Sequence, residues 1–240
     1  MRQESLFISD LHLTASRPEV VERFLHFCDQ RATGAERLYI LGDLFDAYIG
    51  DDNQAWPFNA IKASLKRLTD QGTSVFLQHG NRDFLIGDRF AEQTGARLLE
   101  DYEVIDLFGS TALLTHGDLL CTDDTQYQTA RIRVRAAGWK ANALGKPLWM
   151  RKLYARWYRY QSGRDKGAKT REIMDVNAAT VATVMHEHKV DLLIHGHTHR
   201  PAIHTLMVNG LEVRRVVLPE WNGQEWLLCV TAQGLAQEPL

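Results

Sequence analysis

A chain of 240 residues that is 45% hydrophobic and 24% charged, with a net charge of −2, has the material for one large α/β domain. That balance excludes a chain that is basic throughout and binds nucleic acid by charge, and no apolar stretch is long enough to span a bilayer. The start, Met1-Arg2-Gln3-Glu4-Ser5, passes straight into an apolar run, leaving no room for a signal peptide, and Cys28, Cys121 and Cys229 lie in or beside apolar runs, as buried thiols in a reducing cytosol would.

In chain order, short apolar runs alternate with helical patterns. Leu6-Phe7-Ile8 predicts a buried strand that ends in Asp10-Leu11-His12. Val20, Val21, Phe24, Leu25 and Phe27, with Pro18 suited to a first turn, predict a helix over 18–30. Residues 38–41 predict a second strand, running into Gly42-Asp43-Leu44-Phe45-Asp46. Phe58, Ile61, Leu65 and Leu68 predict a helix over 57–71, with Gly72 as its C-cap. A third strand, 74–77, leads to Gly80-Asn81-Arg82-Asp83, and a fourth, 112–114, to His116-Gly117-Asp118. A helix over 172–189 precedes a fifth strand, 191–194, that runs into His195-Gly196-His197-Thr198-His199. In an open α/β sheet ligands bind where strands end, so the five polar blocks are expected on one rim. Beyond Pro201, Asn209-Gly210 and Asn222-Gly223 signal hairpin turns and an antiparallel C-terminal end.

Residues 122–172 differ from the rest. They hold 13 Lys/Arg against 4 Asp/Glu, a local charge of +9, together with Trp139, Trp149, Tyr154, Trp157, Tyr158 and Tyr160. Wound at helical pitch, 147–160 puts Lys152, Arg156 and Arg159 on one side and Trp149, Met150, Leu153 and Trp157 on the other. Such a helix either packs on its own domain with a solvated basic face or forms a substrate lid. Its position directly after a polar block favours the lid, giving a core of 1–121 and 173–240 and a lid of 122–172.

The polar blocks offer carboxylates, an asparagine and histidines with no nearby cysteine. That mixed oxygen and nitrogen set suits Mn²⁺, Fe²⁺, Co²⁺ or Zn²⁺ rather than a structural zinc cage. A carboxylate such as Asp43 can bridge two ions, and two ions about 3.5–4 Å apart can clamp a phosphoryl oxygen and activate water.

D-x-H, G-D-x-x-D, G-N-x-D, H-G-D and G-H-T-H in this order, from Asp10 to His199, resemble the calcineurin-like metallophosphoesterases. The resemblance implies a four-layer α/β/β/α sandwich with a helical lid insertion and a dinuclear centre. One ion would be held by Asp10, His12, Asp43 and His199, the other by Asp43, Asn81, His116 and His197. It leaves His195 as a strand-end residue, and Asp46, Asp83 and Asp118 as orienters of ligands or loop caps. The family's usual G-N-H-[DE] has Arg82 in place of the histidine that would protonate an alkoxide leaving group. An arginine cannot give up a proton near neutrality, but it can bind a phosphate leaving group, which departs as an anion with a last pKa of roughly 6. The block therefore points to pyrophosphate cleavage, with Asp43, Asn81, Arg82 and His116 as the catalytic set; the plainer reading is that Arg82 only tethers a loop.

G-N-R-D-F-L, H-G-D-x-L-C-T-D-D at 116–124 and I-M-D-V-N at 173–177 resemble one branch of the family, the UDP-2,3-diacylglucosamine diphosphatases of lipid A biosynthesis. That resemblance implies two Mn²⁺ per chain and release of UMP and 2,3-diacylglucosamine 1-phosphate (lipid X), with water attacking the phosphorus nearer the uridine. It implies substrate contacts at Asn81, Arg82, Asp124, Ser162, Lys166, Lys169 and His197; Tyr127 and Arg156 are further candidates. The expected chain is a monomer without nucleic-acid partners, peripheral on the cytoplasmic face of an anionic inner membrane. The alternatives are a phosphoesterase of soluble nucleotide diphosphates or phosphodiesters, and a fold kept as a protein-binding scaffold.

Overall fold

A computed structural model of the chain describes residues 2–168, 175–223 and 226–240, with the backbone alone for 160–168. The first half runs β1 (Arg2–Ile8), α1 (Pro18–Phe27), β2 (Ala35–Leu41), α2 (Phe58–Asp70), β3 (Ser74–Gln78), α3 (Asp88–Thr94) and β4 (Arg97–Leu98). Then follow β5 (Glu103–Leu107), β6 (Ser110–Leu114), α4 (Thr125–Arg135), α5 (Ala137–Leu144), α6 (Leu148–Ala168) and α7 (Ala178–Glu187). The chain ends with β7 (Leu192–His195), β8 (Ala202–Val208), β9 (Leu211–Val217), β10 (Trp226–Thr231) and β11 (Gly234–Pro239). Among the described residues no helix is long and apolar enough to cross a membrane.

The strands form two sheets, not one. The first has the order β11-β10-β1-β2-β3-β4, with β1 to β4 parallel and β10 antiparallel to β1; the second has the order β5-β6-β7-β9-β8. Alternation of side chains along each strand explains the layering. Leu6 and Ile8, Leu38 and Ile40, and Val75 and Leu77 face outward onto Val21 and Phe24 of α1 and Ile61 and Leu65 of α2. Their neighbours Phe7, Tyr39, Leu41 and Phe76 face inward and meet Ala112, Leu114, Ile194 and Val216 of the second sheet. Leu113, Leu193 and Val213 face the other way, onto Val181, Val184 and Met185 of α7. The result is helix, sheet, sheet, helix. The five polar blocks therefore gather from two sheet rims, three from the first sheet and two from the second.

Three local expectations change. The helix expected over 172–189 starts at Ala178, because Asn177 caps it by accepting from the Thr180 N–H; 172–174 lie outside the described residues. Asn222-Gly223 is no hairpin: it belongs to the crossover from β9 in the second sheet to β10 in the first. The last hairpin instead turns between Thr231 and Gly234. Asn209-Gly210 does form a hairpin, joining β8 to β9 with both residues at positive φ of 50° and 81°. The helix expected over 18–30 forms α1 and continues as a π-turn, Cys28–Ala32, and all three cysteines are buried.

Candidate metal centre and active site

Three strands, β1, β2 and β7, deliver their blocks through sharp exits. Asp10, His12, Asp43, His197 and His199 all have φ between 50° and 69°, in the left-handed region. Asp and His tolerate that region better than most residues, yet each position still costs on the order of 1–3 kcal/mol and persists only where its surroundings fix it. Glycine makes the crowding possible. A Cβ on Gly80 would collide with the Asp43 carboxylate, and one on Gly196 with Ser9 and Asp10.

The seven expected ligands come together. His199 Nε2 lies 3.2 Å from Asp10 Oδ1 and 3.4 Å from His12 Nε2, while His12 Nδ1 lies 3.7 Å from Asp43 Oδ2. On the other side, His116 Nε2 lies 3.2 Å from both Asn81 Oδ1 and His197 Nδ1, and 4.0 Å from Asp43 Oδ2. Asp43 thus stands between two groups of donors. Asp10, His12 and His199 form one set of converging ligand atoms among the described residues, and Asp10, Asp43 and His116 another. Orientation is fixed from behind: the His116 Nδ1–H donates to the Leu41 carbonyl at 2.9 Å, turning Nε2 toward the centre. Asp83 accepts from the Leu44 and Gly80 amides, and Ser9 Oγ donates to Asp10, as orienting roles require.

These donors fit divalent ions better than they fit one another. His12 Nδ1 is buried without a hydrogen-bond partner among the described residues. Burial, then the Arg82 charge, holds the His12 imidazole down at about 2, so it is neutral and its lone pair is free to ligate. Burial pushes the Asp43 carboxyl up to about 7, where a cation would hold it ionised. Burial opposes the charge on His199, but hydrogen bonds with Asp10 and Glu220 outweigh it and raise the imidazole to about 9.

Glu220 escaped the sequence reading. Its carboxylate accepts from His199 Nδ1 at 2.9 Å and lies 3.8 Å from His12 Nε2. It follows Leu218-Pro219 in the crossover to β10, and no spacing relation ties it to the polar blocks. His195 sits behind the centre: its Nδ1–H donates to the Gly196 carbonyl at 2.8 Å and its Nε2 accepts from Arg215 at 3.2 Å. Burial, then Arg215, lowers that imidazole to about 3, so it remains neutral.

Arg82 enters from the β3 exit. Its backbone N–H donates to Asp43 Oδ1 at 2.8 Å, its Nη1 pairs with Asp46 at 2.5 Å, and its Nε lies 3.6 Å from Asp43. The side chain stays a quarter exposed, so the tether to Asp46 leaves donors facing outward. Arg159 of α6 pairs with the same Asp46, and Arg151, one of the few buried residues of that helix, pairs with Asp52. Away from these anchors the apolar row is turned out: Trp149, Leu153 and Trp157 are 63%, 57% and 56% exposed. Arg156 is exposed as well.

Among the remaining expected contacts, Asp124 caps α4 by accepting from the Tyr127 N–H at 3.0 Å. The Tyr127 hydroxyl donates to Asp118 at 2.6 Å, and its ring lies 6.0 Å from that of His197. Ser162 and Lys166 lie on α6, where only the backbone is described, and Lys169 lies outside the described residues.

Known proteins resemble the chain at two levels. UDP-2,3-diacylglucosamine hydrolase of Cellvibrio japonicus is 49% identical over 232 residues, 97% of each chain. The enzymes of the same name from Haemophilus influenzae and Pseudomonas aeruginosa PAO1 are 49% and 48% identical, over 92% and 98% of this chain and 91% and 98% of their own. A solved archaeal phosphodiesterase superposes with a TM-score of 0.50 at 11% identity over 99% of both chains, a likeness of fold alone. The calcineurin-like phosphoesterase profile matches residues 5–201, and the chain belongs to that family.

Proposed function

We infer that the chain hydrolyses UDP-2,3-diacylglucosamine to 2,3-diacylglucosamine 1-phosphate and UMP, a step of lipid A biosynthesis. The observation that carries this reading is Arg82, whose guanidinium lies 3.6 Å from Asp43 and pairs with Asp46, the carboxylate that also takes Arg159 of α6, in a chain about half identical to hydrolases named for that substrate. Membership of the family implies a divalent metal centre. The donor set supports two Mn²⁺, one on Asp10, His12, Asp43 and His199 and one on Asp43, Asn81, His116 and His197. When bound, such ions activate water and neutralise phosphoryl charge.

The chain's own residues do the rest. Water forms a bond to the phosphorus nearer the uridine and releases a proton to solvent, and the bridging P–O bond breaks with its electron pair staying on the sugar 1-phosphate. That leaving group departs as an anion, so no side chain need supply a proton, and the outward donors of Arg82 bind the charge as it develops. His197 and Asn81 flank the same phosphate, and Asp124, Ser162, Lys166 and Lys169 supply polar contacts from the lid. The exposed row on α6 offers the acyl chains an apolar wall. The same row, beside Lys152 and Arg156, supports peripheral attachment to the anionic cytoplasmic face of the inner membrane, where each basic residue contributes about 1 kcal/mol. Comparing turnover of acylated and unacylated UDP-glucosamine by the Mn²⁺-loaded protein tests the reading. A kcat/KM at least tenfold higher for the acylated substrate is expected; equal turnover of both contradicts a lipid substrate.

A further inference from the structure

A pocket of about 260 Å³ opens beside the turn that carries His197 and His199, lined by Asp175, Thr198, Arg200, Ala202, His204 and Arg215 among others. A smaller cavity of about 110 Å³ shares Asp175 and Arg215. The pocket lies on β8 and β9 of the second sheet, whereas the lid helix is anchored at Asp46 and Asp52, after β2 of the first. Thr198, which lines the pocket, stands between the expected ligands His197 and His199, so the pocket adjoins the centre.

The chemistry of the walls narrows the occupant. Ligand pockets for drug-sized molecules run about 300–1,000 Å³, so this one suits a base with its sugar and not a pair of acyl chains. It is no bare cationic hole, because Arg200 pairs with Asp175 and Arg215 donates to His195. What remains is mixed: guanidinium donors, a carboxylate acceptor, the imidazole of His204, and the apolar faces of Ala202 and Val217. Thr198 Oγ1, in the turn between two expected ligands, is buried with no hydrogen-bond partner among the described residues. A planar ring with carbonyl acceptors and one imide N–H matches that set; an inorganic anion does not.

We propose that this pocket holds the nucleoside half of the substrate, with the uracil ring against Ala202 and His204; the assignment rests on the UDP-lipid reading above. Saturation-transfer NMR of the full, Mn²⁺-loaded chain with uridine, which has no phosphate to engage the centre, tests it directly. Transfer to the uracil H5 and H6 protons is expected in the wild type, with affinity about tenfold weaker in Ala202→Phe, which fills the pocket, and in His204→Ala, which removes a wall. Far-UV circular dichroism and melting temperature check that each variant folds, and His204→Ala serves if Ala202→Phe does not. Absence of transfer in the wild type, unchanged affinity in the folded variants, or displacement of uridine by millimolar inorganic phosphate each overturns the proposal. Uridine binding with the expected variant losses, in a protein that leaves acylated UDP-sugar intact, supports the pocket while refuting the lipid substrate.

Discussion

Arg82 shows how one side chain narrows a chemistry that its neighbours leave general. The surrounding carboxylates and imidazoles serve many phosphate esters, but a guanidinium that cannot release a proton favours a leaving group that needs none. If it binds developing charge, Arg82→Ala should lower kcat by about 10²–10³-fold, the loss typical of one oxyanion donor, with metal content retained. Steady-state kinetics beside metal analysis reads this, and an unchanged kcat would make Arg82 only the tether that its pair with Asp46 also suggests. The seven expected ligands were legible because each follows an apolar run and carries a donor side chain. Glu220 was not, since the tertiary crossover alone brings it to His199.

Periodicity reveals that a helix has two faces without revealing which face meets the core. The sequence of residues 147–160 predicts a basic side and an apolar side, and the structure turns the apolar side outward because Asp46 and Asp52 take Arg159 and Arg151. Those acidic partners lie about a hundred residues upstream, beyond any local pattern. The helix α4 is held differently: buried Asp118 accepts from Arg131 at 2.7 Å and from Tyr127. Burial resists the charge on Asp118, but His116 and Arg131 outweigh it and hold the carboxyl well below its ordinary 3.8. A depressed folded value contributes stability that is complete above the unfolded value and lost as pH falls toward the folded one. Asp118→Asn should therefore remove that acid dependence and cost about 1–3 kcal/mol at neutral pH, because buried Arg131 then keeps only its pair with half-exposed Asp101. Urea titrations at neutral pH and at about pH 2.5, below the unfolded value, would show it; a variant as stable as wild type at neutral pH, with the same loss in acid, contradicts the arrangement.

At the scale of the molecule, the alternation of strands and helices was readable in the first half of the chain, where runs and turns stay local. The division into two sheets was carried by the resemblance, since a parallel strand after β6 looks in sequence like one after β3. The Asn222-Gly223 signal failed for the same reason: a turn dipeptide does not report which sheet the next strand joins. The outward row on α6 gives the folded molecule a basic and apolar face, so flotation with anionic vesicles at low salt should recover the protein in the lipid fraction, and added salt should release it. Failure to float at low salt contradicts peripheral attachment.

Pyrophosphate hydrolysis by water at the phosphorus nearer the uridine leaves the oxygen of that water in one product only. Turnover of UDP-2,3-diacylglucosamine by the Mn²⁺-loaded protein in ¹⁸O-water, followed by mass spectrometry of both products, tests it most directly. Attack at that phosphorus puts the label in UMP and none in 2,3-diacylglucosamine 1-phosphate. Label in the lipid product, or no cleavage of the pyrophosphate, would contradict it.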